Sequence, residues 1–278
     1  MPASAAMTYP MDDRLSDILA VPTPRRAALA AGIDEALLSV VVPVRNEAAN
    51  IAPLLAEIAA GLRGIAHEVV YVDDGSTDAT PGLLADAARQ GALRWVRHRA
   101  GCGQSAAVIT GVRAARGAWI ATLDGDGQND PADIPALLAR ARAESAQPGA
   151  AALMIAGHRV QRRDIALKRV SSRAANAVRA WVLQDATPDT GCGLKVFRRD
   201  LFLSLPQFDH MHRFLPALVQ RAGGRTLPLP VNHRPRMRGH SNYGTLDRLW
   251  VGIFDLMGMF WLQRRWRIPV IEASPEGE

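Results

Sequence analysis

Ala118-Trp119-Ile120-Ala121-Thr122-Leu123-Asp124-Gly125-Asp126-Gly127-Gln128 passes from an unbroken apolar stretch straight into an acidic one. A short continuous apolar run bounded by turn residues reads as a buried strand, and such a strand delivers whatever follows it to one edge of its sheet. Here it delivers two carboxylates and an amide oxygen at alternate positions. These are hard oxygen donors, suited to Mg2+ or Mn2+ carrying a diphosphate. If the chain stays extended, the alternation puts Asp124, Asp126 and Gln128 on one side.

Working outward towards the N-terminus, residues 37–44 form a β-rich run, 47–62 have helical spacing, 68–73 are strand-like and 78–90 helical. Residues 93–98 then read as a strand and 105–116 as a helix, so the acidic run follows the fourth strand of a βαβαβαβ series. Such alternation implies an α/β fold with a mostly parallel sheet flanked by helices, and ligands gather at the carboxyl ends of its strands. The polar clusters fall there. Asn46-Glu47 follows the first strand and Asp73-Asp74-Gly75-Ser76 the second.

Beyond Ala150 the pattern loosens into a strand at 151–156, a helix at 165–183, a short strand at 193–197, a helix at 214–222 and a strand at 227–231. Residues 1–36 are expected to be a weakly structured tail, without the basic-then-apolar order of a secretory signal, and 271–278 a second tail. The catalytic domain is thus expected at 37–235, with 236–270 forming a polar loop and a terminal helix. Residues 249–262 are strongly apolar, interrupted by Asp255 and followed by Arg264-Arg265-Trp266-Arg267. Crossing a bilayer takes roughly 20 apolar residues, so this segment is expected to lie in a membrane interface, or else in the core.

The chain has 278 residues, 48% of them hydrophobic, and a formal charge of +6, which fits one large globular domain or two small ones. Lys168 and Lys195 are the only lysines, so nearly all the positive charge is arginine, the side chain suited to bidentate phosphate recognition. Genomic base composition also explains an arginine excess, so placement carries more information than number. Cys102 and Cys192 stand alone in Gly-Cys-Gly settings, which suggests neither a disulfide framework nor a zinc site and fits a reducing cytosol.

Ser76, Thr77 or Asp78 suffices to cap the second helix, which leaves Asp73 and Asp74 for a ribose hydroxyl or a base N–H. Gly101-Cys102-Gly103-Gln104-Ser105-Ala106 matches the loose dinucleotide pattern, with Asp124 at about the ~20-residue spacing of a ribose-binding acid. An NAD-dependent oxidoreductase is therefore a competing reading, although glycines permitting a tight turn explain the loop equally well. Arg159 follows the fifth strand, Arg169 and Arg173 share a helix face, and Arg236 and Arg238 lie in a polar loop. His210-Met211-His212 lacks a metal spacing, and His212-Arg213 reads as a substrate contact or cap. No G-x-S-x-G setting supports a nucleophilic hydrolase.

Taken together, Val42-Pro43-Val44-Arg45-Asn46-Glu47, Asp73 to Asp78 and Asp124 to Pro131 resemble the family 2 glycosyltransferases of GT-A fold. Gly103 to Ala106, Gly191 to Arg199 and Arg238 to Tyr243 narrow the resemblance to the polyprenyl-phosphate glycosyltransferases. That subgroup includes dolichol-phosphate mannosyltransferase and the undecaprenyl-phosphate 4-deoxy-4-formamido-arabinose transferase. The resemblance implies that Pro43, Val44, Glu47 and Asp74, with Asn46 and Asp73 beside them, hold the nucleotide. It implies that Asp124 contacts the nucleotide and that Asp126 and Gln128 bind Mg2+ or Mn2+. Arg159 and Arg173, with His212 and Arg213, would meet the acceptor phosphate, and Arg238 with Ser241 would close on the diphosphate.

Two departures stand out: Gly125 and Gly127 replace the Ala and Leu frequent in relatives, and the C-terminal transmembrane helices that many relatives carry are not expected from this sequence. The implied function is a metal-dependent, inverting transfer from a nucleoside-diphosphate sugar to a polyprenyl phosphate. The expected setting is the cytoplasmic membrane face, with an anionic lipid surface, an integral membrane protein as a further partner, and no nucleic acid. A phosphate acceptor is ionised at neutral pH, its second pKa being about 6, and needs no base. A hydroxyl acceptor needs one, with Asp189 as the candidate. A non-catalytic nucleotide-sugar binding protein is the remaining alternative.

Overall fold

β1 (Asp34–Val44) is buried on both faces over most of its length, with Leu38, Val40, Val41 and Val42 fully inaccessible. Burying each such side chain stabilises by roughly 1.5–3 kcal/mol, so a strand of this composition belongs at the centre of a sheet. In this computed structural model the described residues are 34–147, 152–159, 179–185, 187–235 and 245–265, with the side chains of 245–251 excepted.

The elements that follow are α1 (Ala48–Gly61), β2 (His67–Asp73), α2 (Thr80–Arg89), β3 (Arg94–Arg97), α3 (Gln104–Ala114) and β4 (Gly117–Thr122). A 3-10 turn (Pro131–Asp133), α4 (Ile134–Ser145) and β5 (Leu153–Arg159) come next, and residues 179–183 are helical. The chain continues through β6 (Lys195–Arg198), α5 (Arg199–Ser204), a second 3-10 turn (Met211–Arg213), α6 (Leu215–Arg221), β7 (Arg225–Val231) and α7 (Thr245–Arg264).

The seven strands form one sheet in the order β3-β2-β1-β4-β6-β5-β7. β6 pairs antiparallel with both β4 and β5, while β1 to β4 and the β5–β7 pair are parallel. The mostly parallel expectation holds, with one reversed strand. That reversal matters for the site, because the loop entering β6 arrives at the same edge at which β4 and β5 end. β7 lies at the sheet margin, where Pro228 and Pro230 are tolerated because their missing N–H groups are not needed by a further strand.

Three expectations change. The first strand begins at Asp34 rather than at residue 37. α4 and α5 are additional helices. The acidic run is not extended: residues 125 and 126 form a turn and Gly127 has φ +72°, so strand alternation does not govern where its side chains point. Most of the helix expected at 165–183 lies outside the described residues.

α7 packs Met259 into the core, with Leu256 and Leu262 partly buried against it. Its other side exposes Ile253, Phe254, Met257, Phe260 and Trp261, and Trp181 from the 179–183 helical segment is also exposed. Among the described residues, no helix is long and apolar enough to cross a membrane.

Candidate active site

β1 lies between β2 and β4, so the loops after these three strands meet at one edge. After β1, Asn46 takes φ +56°, receives the Thr77 N–H on its Oδ1 at 2.8 Å and donates its own N–H to Ser76 Oγ at 2.9 Å. Glu47 donates its N–H to Thr80 Oγ1 at 3.0 Å and accepts from the Asn50 amide at 2.6 Å. The first two loops are thereby sewn together. Pro43 and Val44 press on Gly125, where a Cβ would collide with the Val44 side chain.

The two aspartates after β2 have different tasks. Asp73 is fully buried, accepts the Ser76 N–H at 2.9 Å and lies 3.1 Å from Arg97 Nε, so its carboxylate shapes the turn. Asp74 reaches across to the loop after β3. Its Oδ1 meets the Cys102 N–H at 2.7 Å and His98 Nδ1 at 2.7 Å, and its Oδ2 receives the Gly103 N–H at 2.8 Å.

This geometry removes the dinucleotide reading. A dinucleotide fingerprint offers its loop N–H groups to a pyrophosphate at the first, central strand. Here the loop follows the edge strand β3, and two of its N–H groups are given to Asp74. Asp74, His98 and Cys102 place their ligand atoms within 4.8 Å of one another, but the carboxylate is already occupied by these three hydrogen bonds.

Gln104, the first residue of α3, donates to Asp124 Oδ1 at 2.8 Å and joins the two halves of the site. Burial first, and then the neighbouring Asp126 carboxylate, push the Asp124 carboxyl up to about 6 against the pull of Lys195, Arg159 and Gln104. Gly193 provides room for Asp124, since a Cβ there would land on its carboxylate. Asp126 accepts the Gln128 N–H at 3.1 Å, and the Gln128 amide nitrogen faces the Arg234 carbonyl at 3.5 Å. The donor set fits a divalent cation: the oxygens are hard, and the repulsion that raises Asp124 is the kind a dication relieves.

β5 and the loop before β6 supply the other side. Arg159 donates Nε to Asp189 Oδ2 at 2.6 Å and Nη2 to Asp189 Oδ1 at 2.7 Å, and its backbone N–H reaches Oδ2 at 3.2 Å. Lys195 is buried between Thr122 of β4 and Ala156 of β5, with its ammonium on the Cys192 carbonyl. Burial pulls its pKa down, against the opposing pull of Cys192, Asp124 and Asp189.

Met211–Arg213 carries His212 and Arg213, and the His212 ring meets Ser105 of α3. Among the residues expected from sequence, Pro43, Val44, Asn46, Glu47, Asp74, Asp124, Asp126, Gln128, Arg159 and Asp189 line this one edge. Arg173, Arg238 and Ser241 lie outside the described residues. Gln104, Ser105 and Lys195 lie in the stretches that carry the resemblance, but the sequence assigned them no role. Lys195 carried a signal, as a lysine inside the apolar run Leu194 to Phe197.

A carboxylate-rich turn at the switch point of such a sheet is where a GT-A glycosyltransferase holds its donor, and residues 39–205 match the glycosyl transferase family 2 model. The chain belongs to the family 2 glycosyltransferases. It is 36% identical over 237 residues to dodecaprenyl-phosphate galacturonate synthase of Rhizobium johnstonii, covering 82% of this chain and 67% of that protein. It is also 36% identical over 225 residues to undecaprenyl-phosphate 4-deoxy-4-formamido-L-arabinose transferase of Pseudomonas paraeruginosa, covering 80% of this chain and 64% of that protein. The chain thus spans about two thirds of the length of these curated relatives. Among solved structures, glucosyl-3-phosphoglycerate synthase from Mycobacterium tuberculosis with uridine diphosphate superposes with a TM-score of 0.59 at 22% identity, covering 85% of this chain and 83% of that one. The same enzyme with Mn2+, uridine diphosphate and glucosyl-3-phosphoglycerate gives 0.58 at 21% identity, covering 85% and 81%. These likenesses establish the GT-A-type fold.

Proposed function

We propose that the protein transfers a sugar from a nucleoside diphosphate to the phosphate of a polyprenyl chain, with inversion at the anomeric carbon. The observation that carries this reading is the bidentate Arg159–Asp189 pair beside Asp124. An aspartate with both oxygens on a guanidinium is a poor proton acceptor, which disfavours an acceptor that must be deprotonated. A phosphate needs no base, and among the described residues the Nη1 group of Arg159 makes no hydrogen bond to Asp189, so this reading assigns it to the acceptor anion. The relatives named for dodecaprenyl and undecaprenyl phosphate support the same acceptor.

Pro43, Val44, Asn46 and Glu47 bound the nucleotide, Asp74 holds the loop after β3 beside it, and Gln104 holds Asp124 towards it. Asp126 and Gln128 would hold Mg2+ or Mn2+, which when bound neutralises charge on the departing diphosphate. Arg159 orients the acceptor oxygen for in-line attack, and Asp189 fixes the guanidinium plane. Arg173, Arg238 and Ser241 complete the acceptor and diphosphate contacts in this reading. The exposed Phe254, Met257 and Trp261 of α7, with Trp181 and the cations Arg264 and Arg265, suit the headgroup region of an anionic membrane at its cytoplasmic face. The protein then meets its lipid acceptor as a peripheral protein. Incubation of purified protein with undecaprenyl phosphate, Mg2+ or Mn2+ and a panel of UDP- and GDP-sugars tests this. One donor should give a glycosylated lipid by mass spectrometry, whereas nucleotide release without lipid product across the panel would point to another acceptor.

A further inference from the structure

Ser105 is buried at the start of α3, and its Oγ lies 2.8 Å from His212 Nδ1 and 3.2 Å from the His212 backbone nitrogen. A backbone N–H only donates, so the serine oxygen accepts that bond. Oγ has a second lone pair and could also accept from Nδ1–H, but its own buried hydrogen would then have no acceptor among the described residues; a bare Nδ1 that receives this hydrogen satisfies every group. The ring proton consequently sits on Nε2. Burial first, then the charges of Arg213, Lys195 and His210, push the His212 pKa down to about 3, so the ring stays neutral at physiological pH. Among the described residues, no hydrogen bond engages Nε2.

The placement gives this donor a use. Gln104, the neighbour of Ser105, holds Asp124, while Lys195, whose charge acts on His212, sits between β4 and β5 on the Arg159 side of Asp124. We propose that Ser105 is a positioning residue that locks His212 as the Nε2–H tautomer, so that the ring donates a hydrogen bond to a phosphoryl oxygen of the acceptor. This rests on the phosphate-acceptor reading above. A neutral donor of fixed tautomer gives direction without adding another cation beside Arg159, Arg213 and Lys195, and it works at every pH at which the acceptor is ionised.

The lock and the contact are tested separately. In full-length protein with 15N-labelled histidine, the His212 ring should show protonated Nε2, bare Nδ1 and no titration between about pH 5 and 8. Ser105→Ala should populate both tautomers and raise the acceptor KM about tenfold, the value of one hydrogen bond, with the donor KM unchanged. In a His212→Ala background, Ser105→Ala should have no further effect on acceptor KM. A wild-type ring protonated on Nδ1, or titrating near pH 6.5, would overturn the lock. Additive effects of the two substitutions, or an unchanged acceptor KM in Ser105→Ala, would overturn the contact. The NMR arm needs no substrate, so failure of the wild-type enzyme to glycosylate undecaprenyl phosphate would overturn the functional reading, and the acceptor contact with it, without touching the result on the lock.

Discussion

Arg159 and Asp189 face each other through two parallel hydrogen bonds of 2.7 and 2.6 Å, with side chains only 12% and 8% exposed. The pair ties the end of β5 to the loop that enters β6, and the antiparallel insertion of β6 is what brings residues 30 positions apart together. Asp189→Asn keeps an oxygen for one guanidinium N–H. Turnover on a polyprenyl phosphate should fall no more than about tenfold, whereas loss of a general base costs roughly 10²–10⁴. Arg159→Ala should be harsher, because it removes both hydrogen bonds of the pair from a nearly buried carboxylate and the guanidinium that this reading assigns to the acceptor. Thermal denaturation and kcat for each variant check this, and a base-sized loss in Asp189→Asn would contradict it.

Asp124 titrates at about 6 in the folded chain, above its ordinary value of 3.8, because burial and Asp126 oppose its charge. The folded state therefore holds this proton more tightly than the unfolded state does. The contribution to stability is full below about pH 4 and is lost as pH rises through about 6. A divalent cation at Asp126 and Gln128 favours the ionised form, so the melting-temperature gain from Mn2+ should be larger at pH 7 than at pH 5. Scanning calorimetry with and without the ion measures both, and equal gains would contradict the assignment.

Gly193 is placed so that any Cβ would meet the Asp124 carboxylate. Its backbone is not in the left-handed region, so alanine adds no backbone strain there. Gly193→Ala should leave the fold intact by circular dichroism and lower kcat/KM for the sugar nucleotide by about 100-fold, the scale of an ångström-sized misplacement. Normal donor kinetics in a folded variant would count against Asp124 as a donor contact.

The apolar face of α7 makes a prediction at the membrane. Phe254, Met257 and Trp261 are more than half exposed, so replacing all three by serine should spare the melting temperature. Co-sedimentation with anionic vesicles should fall at least tenfold, since burying each such side chain contributes roughly 1.5–3 kcal/mol. Undiminished vesicle binding would remove α7 from the membrane contact.

The first half of the sheet was legible because its strands are buried on both faces and its helices keep a 3.6-residue period. Runs such as Val40-Val41-Val42 and Ile120-Ala121 admit little else. α4 could also have been read, since Ile134, Leu137, Leu138 and Ala141 fall on one face and are all buried. The positions of the carboxylates at the strand ends were legible for the same reason as the strands that carry them. The Asp74 bridge to residues 102 and 103, the Gln104–Asp124 bond and the Arg159–Asp189 pair were not. Each joins loops whose meeting depends on strand order, which local pattern does not encode. The turn at Gly127 was hidden similarly, since glycine permits the extended chain as well as the positive φ.

The most direct test of the account is the linkage in the product. Lipid isolated after reaction of the purified protein with undecaprenyl phosphate and its sugar nucleotide should show, by 31P and 1H NMR, a phosphodiester between the sugar anomeric carbon and the lipid phosphate, with configuration opposite to the donor's. Recovery of the lipid as an unchanged phosphate monoester, with nucleoside diphosphate released, would contradict it.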